Sequence, residues 1–306
     1  MTGRRSTAAL CCVLALSSAL GCSRVPGTAP MGAAPRAERG ESPKLRFVQM
    51  ADTQFGFFST PLLLAFFGVS WTKNRFARET SNFEEAMNEA VALDPRFIVV
   101  CGDLVNSWGH EGQAVEFERI RNGLRRDVPV YVAPGNHDVG NKPTRESLEW
   151  YRSKFGPDYY AFEHDGLRGI VLNSSLFVAP ERVPDAAAAQ LAWLDEELAR
   201  TADAPPEQTV VFLHYPLFLE DAGEDDSYFN VPAKFRGPLL ERFAAHGVRA
   251  VFAGHYHRNA YARAGGLEMI TTGAVGRPLG GAVSGYRVVD VYDDGFDHRF
   301  VALDGR

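Results

Sequence analysis

Side chains that can bind divalent cations recur along this chain in short polar motifs. They are Asp52 and Gln54 in ADTQ, Asp103 in CGD, Asn136, His137 and Asp138 in GNHD, His214 in HYP, and His255 and His257 in GHYH. Carboxylate and amide oxygens and imidazole nitrogens are the usual protein ligands of such cations. One such motif alone is typical of a turn or a surface histidine. The whole series predicts a metal-dependent site.

Each motif directly follows a short apolar run that is rich in β-branched side chains. The runs cover residues 45–50, 97–101, 130–133, 209–213 and 248–253. Such runs predict buried strands whose carboxyl ends carry the polar motifs. Residues two apart on extended backbone point the same way, so Asp52 with Gln54, and His255 with His257, are each expected to aim two ligands at one point.

Helical patterns separate these predicted strands, over residues 82–93, 111–126, 144–155, 185–201 and 232–246. In the 185–201 pattern Asp185 is the expected N-cap, and leucines at positions 191, 194 and 198 share one face. Alternation of strands and helices predicts an α/β fold with its active site at the strand carboxyl ends. Residues 259–303 are strand-rich and are expected to supply most of a second sheet.

The order of the motifs resembles the calcineurin-like metallophosphoesterase superfamily, which carries D-x-H, G-D, G-N-H-D/E, H and G-H-x-H in this order. The resemblance covers residues 45–303. The segments ADTQFG, CGDLV, GNHDVGN, WLDEEL, HYPLFLE with EDDSYFN, and GHYHRNA further resemble the small stand-alone calcineurin-like phosphoesterase-domain branch. Eukaryotic members of that branch are described as Ser/Thr phosphatases. The branch carries Gln where most relatives carry His, so Gln54 is interpreted as a trait of the branch.

The resemblance implies a four-layer α/β/β/α sandwich of the metallo-dependent phosphatase type with two divalent metal ions. It implies that the first metal is held by Asp52, Gln54, Asp103 and His257. It implies that the second is held by Asp103, Asn136, His214 and His255, with Asp103 bridging. The hard oxygen of Gln54 favours manganese, while magnesium, iron or zinc stay open.

The resemblance also implies that His137 is a non-ligand catalytic histidine that donates to the phosphate or to the leaving oxygen. Protein phosphatases of this superfamily orient that histidine with an aspartate, and here Asn106 occupies the place. An amide stabilises imidazolium less well, so weaker acid catalysis is expected. Asp138 is an alternative partner for His137, or it serves a local turn. Arg258 is a candidate phosphate ligand together with Asn136 and His137, or it faces solvent.

The function implied is a metal-dependent phosphoester hydrolase in which water bound between the metals attacks phosphorus directly. The substrate would be a phosphomonoester, either a phosphoprotein or a small molecule. A phosphodiesterase of nucleotides or lipids is the alternative. An alternative of another class is a phosphate-ligand-binding scaffold lipoprotein with degraded catalysis, for which Gln54 and Asn106 are the support. The oligomeric state is left open.

The first residues predict export. Arg4 and Arg5 precede an apolar run over residues 8–20, and the lipobox-like Gly21-Cys22 follows. Residues 1–22 are therefore expected to be a signal peptide of a periplasmic or cell-envelope lipoprotein with a membrane anchor at Cys22. An uncleaved N-terminal anchor is the alternative. Residues 23–43 are expected to be a flexible linker, and residues 44–306 the catalytic domain. A formal charge of −6 gives no basic field for nucleic acid.

Weaker signals come from four other features. The apolar residues 55–71 predict core packing or a covering loop, or else an apolar wall beside the metals or a membrane contact. The acidic residues 220–226 are expected to form a solvated turn, and Cys101 to be inert core. The remaining histidines match no ligand position and are predicted to lie on the surface: His110, His164, His246 and His298.

Overall fold

The computed structural model describes residues 40–57, 76–123, 127–200 and 208–303. The predicted signal peptide and most of the predicted linker lie outside these residues, as does the apolar 55–71 segment from residue 58 onward. Within the described ranges, no helix combines the length and the apolar character that crossing a membrane requires.

The described strands form two sheets. In chain order they are β1 Leu45–Met50, β2 Phe97–Cys101, β3 Val130–Ala133, β4 Tyr160–His164, β5 Leu167–Val171, β6 Gln208–Phe212, β7 Val248–Ala253, β8 Ala260–Ala264, β9 Leu267–Thr271, β10 Gly285–Tyr292 and β11 Gly295–Ala302. Sheet 1 has the order β11-β10-β1-β2-β3, and sheet 2 the order β4-β5-β6-β7-β9-β8. Strands β1 to β3 are parallel in sheet 1, and β5, β6, β7 and β9 are parallel in sheet 2. The other neighbouring strands pair antiparallel.

The described helices lie between these strands in the chain. They are α1 Ala77–Ala92, α2 Glu111–Gly123, α3 Asn136–Val139, α4 Arg145–Phe155, α5 Ser175–Val178, α6 Pro184–Ala199 and α7 Ala233–Ala245. The N-cap of helix α6 lies two residues before the predicted Asp185, since Val183 is the N-cap and Pro184 the first helical residue. Proline suits that position because its fixed φ is helical and its missing N–H would be unsatisfied there. Asp185 therefore lies in the first turn, where a negative charge is still favourable.

Three apolar layers hold the sheets and helices together. In β2, Phe97 and Val99 face the space between the sheets, whereas Ile98 and Val100 face helices α1 and α2. This alternation of apolar side chains on both faces is what a strand buried between two layers requires. Helices α6 and α7 cover the outer face of sheet 2 in the same way. The molecule is thus a four-layer α/β/β/α sandwich, which confirms the predicted fold.

The hairpin β4–β5 is absent from the sequence predictions. Its turn contains Asp165 at φ 46° and Gly166 at φ 83°. Two consecutive residues of positive φ are typical of a type I′ turn, and Asp-Gly is one of the strongest short signals for it. The dipeptide in the sequence could therefore have revealed this hairpin.

A buried polar network connects the two sheets. Arg287 is 1% exposed and donates to Thr272 Oγ1, Asn259 Oδ1 and His298 Nδ1, each at 2.8 Å. Gln49 accepts from the Thr272 hydroxyl and donates to the Ala253 carbonyl of sheet 2. His298 is therefore only partly exposed, contrary to the surface prediction. Burial, reinforced by the Arg287 charge, lowers the pKa of His298 to about 3.

His164 is likewise only partly exposed, contrary to the surface prediction. Its ring stacks on Phe97 at 5.2 Å, and its Nε2 lies 3.0 Å from the Tyr131 hydroxyl. His246 is exposed as expected. Cys101 is buried and free, and burial raises the pKa of its thiol to about 12, which agrees with an inert core role.

Candidate metal centre

The predicted ligands meet at one end of the sandwich, where the carboxyl ends of β1, β2 and β3 face those of β6 and β7. Backbone hydrogen bonds continue past the strand ends into the polar loops. Asp52 N donates to Gly102 O at 3.0 Å, and Gly254 N donates to His214 O at 3.0 Å. The hydrogen-bond ladders of the sheets therefore extend into the loops that carry the motifs and hold neighbouring loops together.

A first group of ligand atoms surrounds His214. One ligand atom each from Asp103, His214 and His255 lies within 4.8 Å of the others, and all three residues are buried. His214 Nε2 lies 3.3 Å from Asp103 Oδ1, 3.2 Å from His255 Nδ1 and 3.0 Å from Asn136 Oδ1. Four residues that the sequence analysis assigned to one metal therefore converge on one point.

Backbone carbonyls fix which nitrogen of each histidine faces the cluster. They pair as His214 Nδ1 with Cys101 O at 2.9 Å, His255 Nε2 with Tyr228 O at 2.9 Å, and His257 Nδ1 with Arg277 O. A carbonyl can only accept, so each of these nitrogens carries a proton, and in the neutral ring the opposite nitrogen presents a lone pair to the cluster. Sequence reasoning misses Cys101, Tyr228 and Arg277 in this role because every residue type has a carbonyl.

Converging acceptor atoms repel one another unless a proton or a cation lies between them. Burial opposes protonation of His214, but the Asp103 carboxylate outweighs it and raises the pKa of His214 to about 9. Burial and the charge of His214 lower the pKa of His255 to about 4. The cluster thus draws a positive charge to its centre, as a cation site does.

A second group of ligand atoms shares Asp103 with the first. One ligand atom each from Asp52, Asp103 and His257 lies within 4.8 Å of the others. His257 Nε2 is 3.3 Å from Asp52 Oδ1, and Gln54 Nε2 donates to Asp103 Oδ2 at 3.3 Å. Gln54 Oε1 is buried without a hydrogen-bond partner. A buried orphan acceptor beside two carboxylates fits a bound cation, and a shared Asp103 fits a bridging position between two cations.

The backbone of these loops is not extended. The expectation that Asp52 with Gln54, and His255 with His257, point the same way because they lie two apart on extended backbone is therefore corrected. Positive φ occurs at Asp52 (54°), Gln54 (42°), Asp103 (51°), His255 (67°) and His257 (55°). Left-handed backbone costs on the order of 1–3 kcal/mol at a non-glycine residue and concentrates at functional sites. The paired ligands converge because both members turn into this conformation.

Two motif glycines are required by close packing. A Cβ on Gly135 of GNHD would overlap the Asp103 carboxylate and backbone. A Cβ on Gly254 of GHYH would lie 2.7 Å from Asp52 Oδ2. Larger residues at either position would push a central carboxylate away from the cluster.

His137 lies beside the cluster and is oriented by backbone. Its amide donates to Asp103 Oδ1 at 2.9 Å, and its Nδ1 donates to the backbone carbonyl of Asn106 at 2.7 Å. The expectation that the Asn106 side chain orients His137 is therefore corrected, since the main chain does so. Asn106 Oδ1 itself is buried without a partner.

Asp138 supports a turn and does not contact the His137 ring. Its carboxylate accepts from the backbone amides of Leu104 at 3.2 Å, Val105 at 3.0 Å and Gly135 at 2.7 Å. Burial, with the nearby Asp103 charge, raises the pKa of Asp138 to about 7 despite these hydrogen bonds. Of the two roles considered for Asp138, the geometry supports the structural one, so Asp138 is corrected from a catalytic partner to a loop anchor.

Aromatic rings and arginines surround the cluster. Phe57 lies 5.9 Å from the His257 ring and 6.4 Å from the His137 ring, with the Arg277 guanidinium 5.0 Å above it. Arg258 stacks on Tyr256 at 4.4 Å. Between the described residues, no hydrogen bond or ion pair joins Arg258 to the predicted ligands, so its phosphate role stays a prediction.

The two-sheet sandwich with an acidic and histidine-rich cluster at its strand ends defines the class of calcineurin-like metallophosphatases. A solved dimetal phosphatase from Danio rerio is similar, with a TM-score of 0.58, 17% identity, and coverage of 86% of this chain and 100% of that chain. Purple acid phosphatase PPD1 of Lupinus luteus has a TM-score of 0.60 and 14% identity, over 87% of this chain and 53% of that chain. These likenesses show the fold.

Sequence comparison specifies the family. The family model for calcineurin-like phosphoesterases matches residues 45–259. The serine/threonine-protein phosphatase CPPED1 of Mus musculus is 38% identical over 266 residues, which cover 84% of each chain. The protein belongs to the calcineurin-like phosphoesterase family and is a metal-dependent phosphoester hydrolase.

Proposed function

We propose that this protein is a phosphatase that hydrolyses phosphomonoesters with two divalent cations in the cluster described above. The observation that carries the proposal is the position of Asp103, whose carboxylate belongs to both groups of buried acceptor atoms. A single carboxylate between two such groups is the arrangement expected of a bridging ligand. The partnerless Gln54 Oε1 supports the same conclusion, since a bound cation would satisfy this buried acceptor.

The two groups of buried acceptor atoms support one set of ligands for each cation. One cation would be held by Asp52, Gln54, Asp103 and His257. The other would be held by Asp103, Asn136, His214 and His255. When bound, such a pair supplies a nucleophile from water at neutral pH and compensates charge on the phosphoryl oxygens. The amide oxygen of Gln54 is a hard ligand, so we expect manganese to support activity better than zinc.

His137 would serve as the proton donor to the leaving oxygen. Its Nδ1–H is committed to the Asn106 carbonyl at 2.7 Å, so Nε2 is the ring atom left for substrate. The backbone amide of His137 donates to Asp103, which keeps the ring beside the cluster. A positioned general acid of this kind typically raises the reaction rate by roughly 10²–10⁴-fold.

The substrate class is proposed from the relatives. The mouse relative is named a serine/threonine-protein phosphatase, and the similarity extends over 84% of both chains. We therefore expect phosphoserine or phosphothreonine peptides, or small phosphomonoesters of similar shape, to be hydrolysed faster than phosphodiesters.

The test compares the full-length protein with its Asp103→Asn variant, which keeps the shape of the side chain and removes its charge. Both are assayed on p-nitrophenyl phosphate, bis-p-nitrophenyl phosphate and a phosphoserine peptide, with Mn²⁺, Zn²⁺ or a chelator. We expect activity on the monoesters that requires metal and falls by at least about 10³-fold in the variant. Equal rates for both proteins on every ester would instead favour the phosphate-binding scaffold.

We also propose, from the leader sequence alone, that the protein is exported and anchored through Cys22. The supporting pattern is the arginine pair, the apolar run over residues 8–20 and the Gly21-Cys22 ending. On expression in a bacterium that processes lipoproteins, Cys22→Ser should move the protein from the membrane fraction to the soluble fraction. Unchanged fractionation would contradict lipidation at Cys22 and would favour the uncleaved anchor.

A further inference from the structure

Tyr228 touches the candidate centre in three ways, although sequence reasoning gave it no role. Its backbone carbonyl accepts from His255 Nε2 at 2.9 Å. Its ring centroid lies 4.9 Å from that of His255. Burial raises the pKa of its phenol, and the nearby side-chain amide of Asn136 opposes this shift, which places the hydroxyl close to Asn136. The residue is nevertheless 59% exposed, so its side chain lies both against two predicted ligands and in contact with solvent.

The loop that presents Tyr228, residues 217–232, is held by buried and charged groups. The Glu224 carboxylate accepts from the backbone amides of Leu219, Glu220 and Asp221 and from Asn230 Nδ2. Arg236 is 2% exposed and donates to the carbonyls of Leu217, Val231 and Glu224. The acidic residues 220–226 thus form a largely exposed turn, as expected, whose backbone is held by the Glu224 carboxylate. Tyr228 is therefore positioned before any ligand arrives.

An exposed tyrosine on a fixed loop has the properties of a binding residue. A phenol combines a large flat apolar surface with one donor, and it loses little conformational entropy on binding. The hydroxyl is neutral and can donate to an anion without adding negative charge to a site that already contains Asp52 and Asp103. Its neighbour Asn136 is a predicted metal ligand, so the hydroxyl lies beside the candidate centre.

We propose that Tyr228 is a further substrate-contacting residue, whose hydroxyl donates a hydrogen bond to a phosphoryl oxygen beside Asn136 and whose ring contacts the group esterified to the phosphate. This inference rests on the proposed phosphatase function. It gives the Tyr228 side chain a role in substrate recognition, in addition to the role of its backbone carbonyl in orienting His255.

Substitution separates these roles because any residue at position 228 retains the carbonyl that orients His255. Tyr228→Phe removes only the hydroxyl, and Tyr228→Ala removes the ring as well. Tyr159→Phe is the matched control, since Tyr159 is a partly exposed tyrosine that packs on Trp193 at 5.0 Å and, among the described residues, has no ring contact with a predicted ligand. Thermal unfolding and Mn²⁺ binding by calorimetry check that each variant is folded and keeps its metal affinity.

The readouts are kcat/KM for phenyl phosphate and methyl phosphate, and the affinity of the Mn²⁺-loaded protein for inorganic phosphate. Tyr228→Phe should lower kcat/KM for both esters, and phosphate affinity, by about tenfold or more, as expected for one hydrogen bond to a charged group. Tyr228→Ala should lower kcat/KM further for phenyl phosphate than for methyl phosphate. Mn²⁺ affinity should not change, and Tyr159→Phe should match the wild type.

The outcomes distinguish this inference from the proposed function. Wild-type kcat/KM and phosphate affinity in Tyr228→Phe, in a protein that is inactivated by Asp103→Asn, would overturn the role of Tyr228 alone. A wild-type protein that hydrolyses none of the esters would overturn the phosphatase proposal. In that case phosphate binding still decides the role of Tyr228, because weaker binding in Tyr228→Phe supports it and equal binding refutes it.

Discussion

At the scale of single residues, the orientation of His137 depends on the main chain. Its Nδ1 donates to the Asn106 carbonyl, while the Asn106 side chain has a buried oxygen without a partner. An aspartate at this position would change the charge near the imidazole, but it is not needed to hold the ring. The presence of Asn106 where protein phosphatases carry aspartate is therefore compatible with His137 as an oriented proton donor.

This gives a prediction for residue 106. Asn106→Ala should keep kcat within about threefold of the wild type, because the carbonyl that holds His137 survives and an unsatisfied amide is removed. His137→Ala should lower kcat by about 10²–10⁴-fold, because it removes the proposed proton donor. Steady-state kinetics across pH with a phosphomonoester checks both. A large loss in Asn106→Ala would show that its side chain acts in the reaction.

At the scale of elements, the strand ends are the part of the site that sequence could predict. The apolar runs locate β1, β2, β3, β6 and β7, and the polar residues after them are the ones that converge. The conformation of the loops could not be predicted, because left-handed backbone at Gln54 is unfavourable locally and is imposed by neighbouring chain. The carbonyl partners of the histidines could not be predicted either, since they depend only on where the backbone passes.

The Gly135 loop before α3 provides a test of this packing. Gly135→Ala should reduce metal affinity and activity, since the added methyl would occupy the space of the Asp103 carboxylate, and it should destabilise the fold by about 1–3 kcal/mol. Gly237→Ala is the control, because a Cβ there meets nothing within 4 Å and helix α7 should gain up to about 1 kcal/mol. Urea unfolding and Mn²⁺ titration measure both quantities. Wild-type metal affinity in Gly135→Ala would contradict the close packing.

At the scale of the whole molecule, the network around Arg287 makes the sandwich sensitive to acid. Burial with the Arg287 and Arg263 charges lowers the pKa of His298 from 6.5 to about 3 in the folded protein. Between these two pH values the unfolded chain binds the proton more readily than the folded chain does. Stability contributed by neutral His298 is therefore present above pH 6.5 and is lost progressively as pH falls.

The expected slope is about 1.4 kcal/mol of unfolding free energy per pH unit below 6.5 from this group. Urea unfolding at pH 7.5 and pH 5.5 should show the wild type losing about 1.4 kcal/mol more than His298→Gln, which cannot take up the proton. Other groups that titrate in this range contribute equally to both proteins and cancel in the difference. The same loss in both would show that His298 is accessible to protons in the folded state.

The proposed cation sites have a further consequence that follows from where their ligands originate. Each group combines side chains from both sheets, since Asp52 and Asp103 follow strands of sheet 1 whereas His214, His255 and His257 follow strands of sheet 2. Neither half of the polypeptide alone presents a complete set of ligands. Cation capture would therefore be a late event in maturation, after the two halves have docked. Supply of metal during biosynthesis would then determine how much of the folded protein becomes active, and would also stabilise the folded chain, since the cations bind the folded and not the unfolded state.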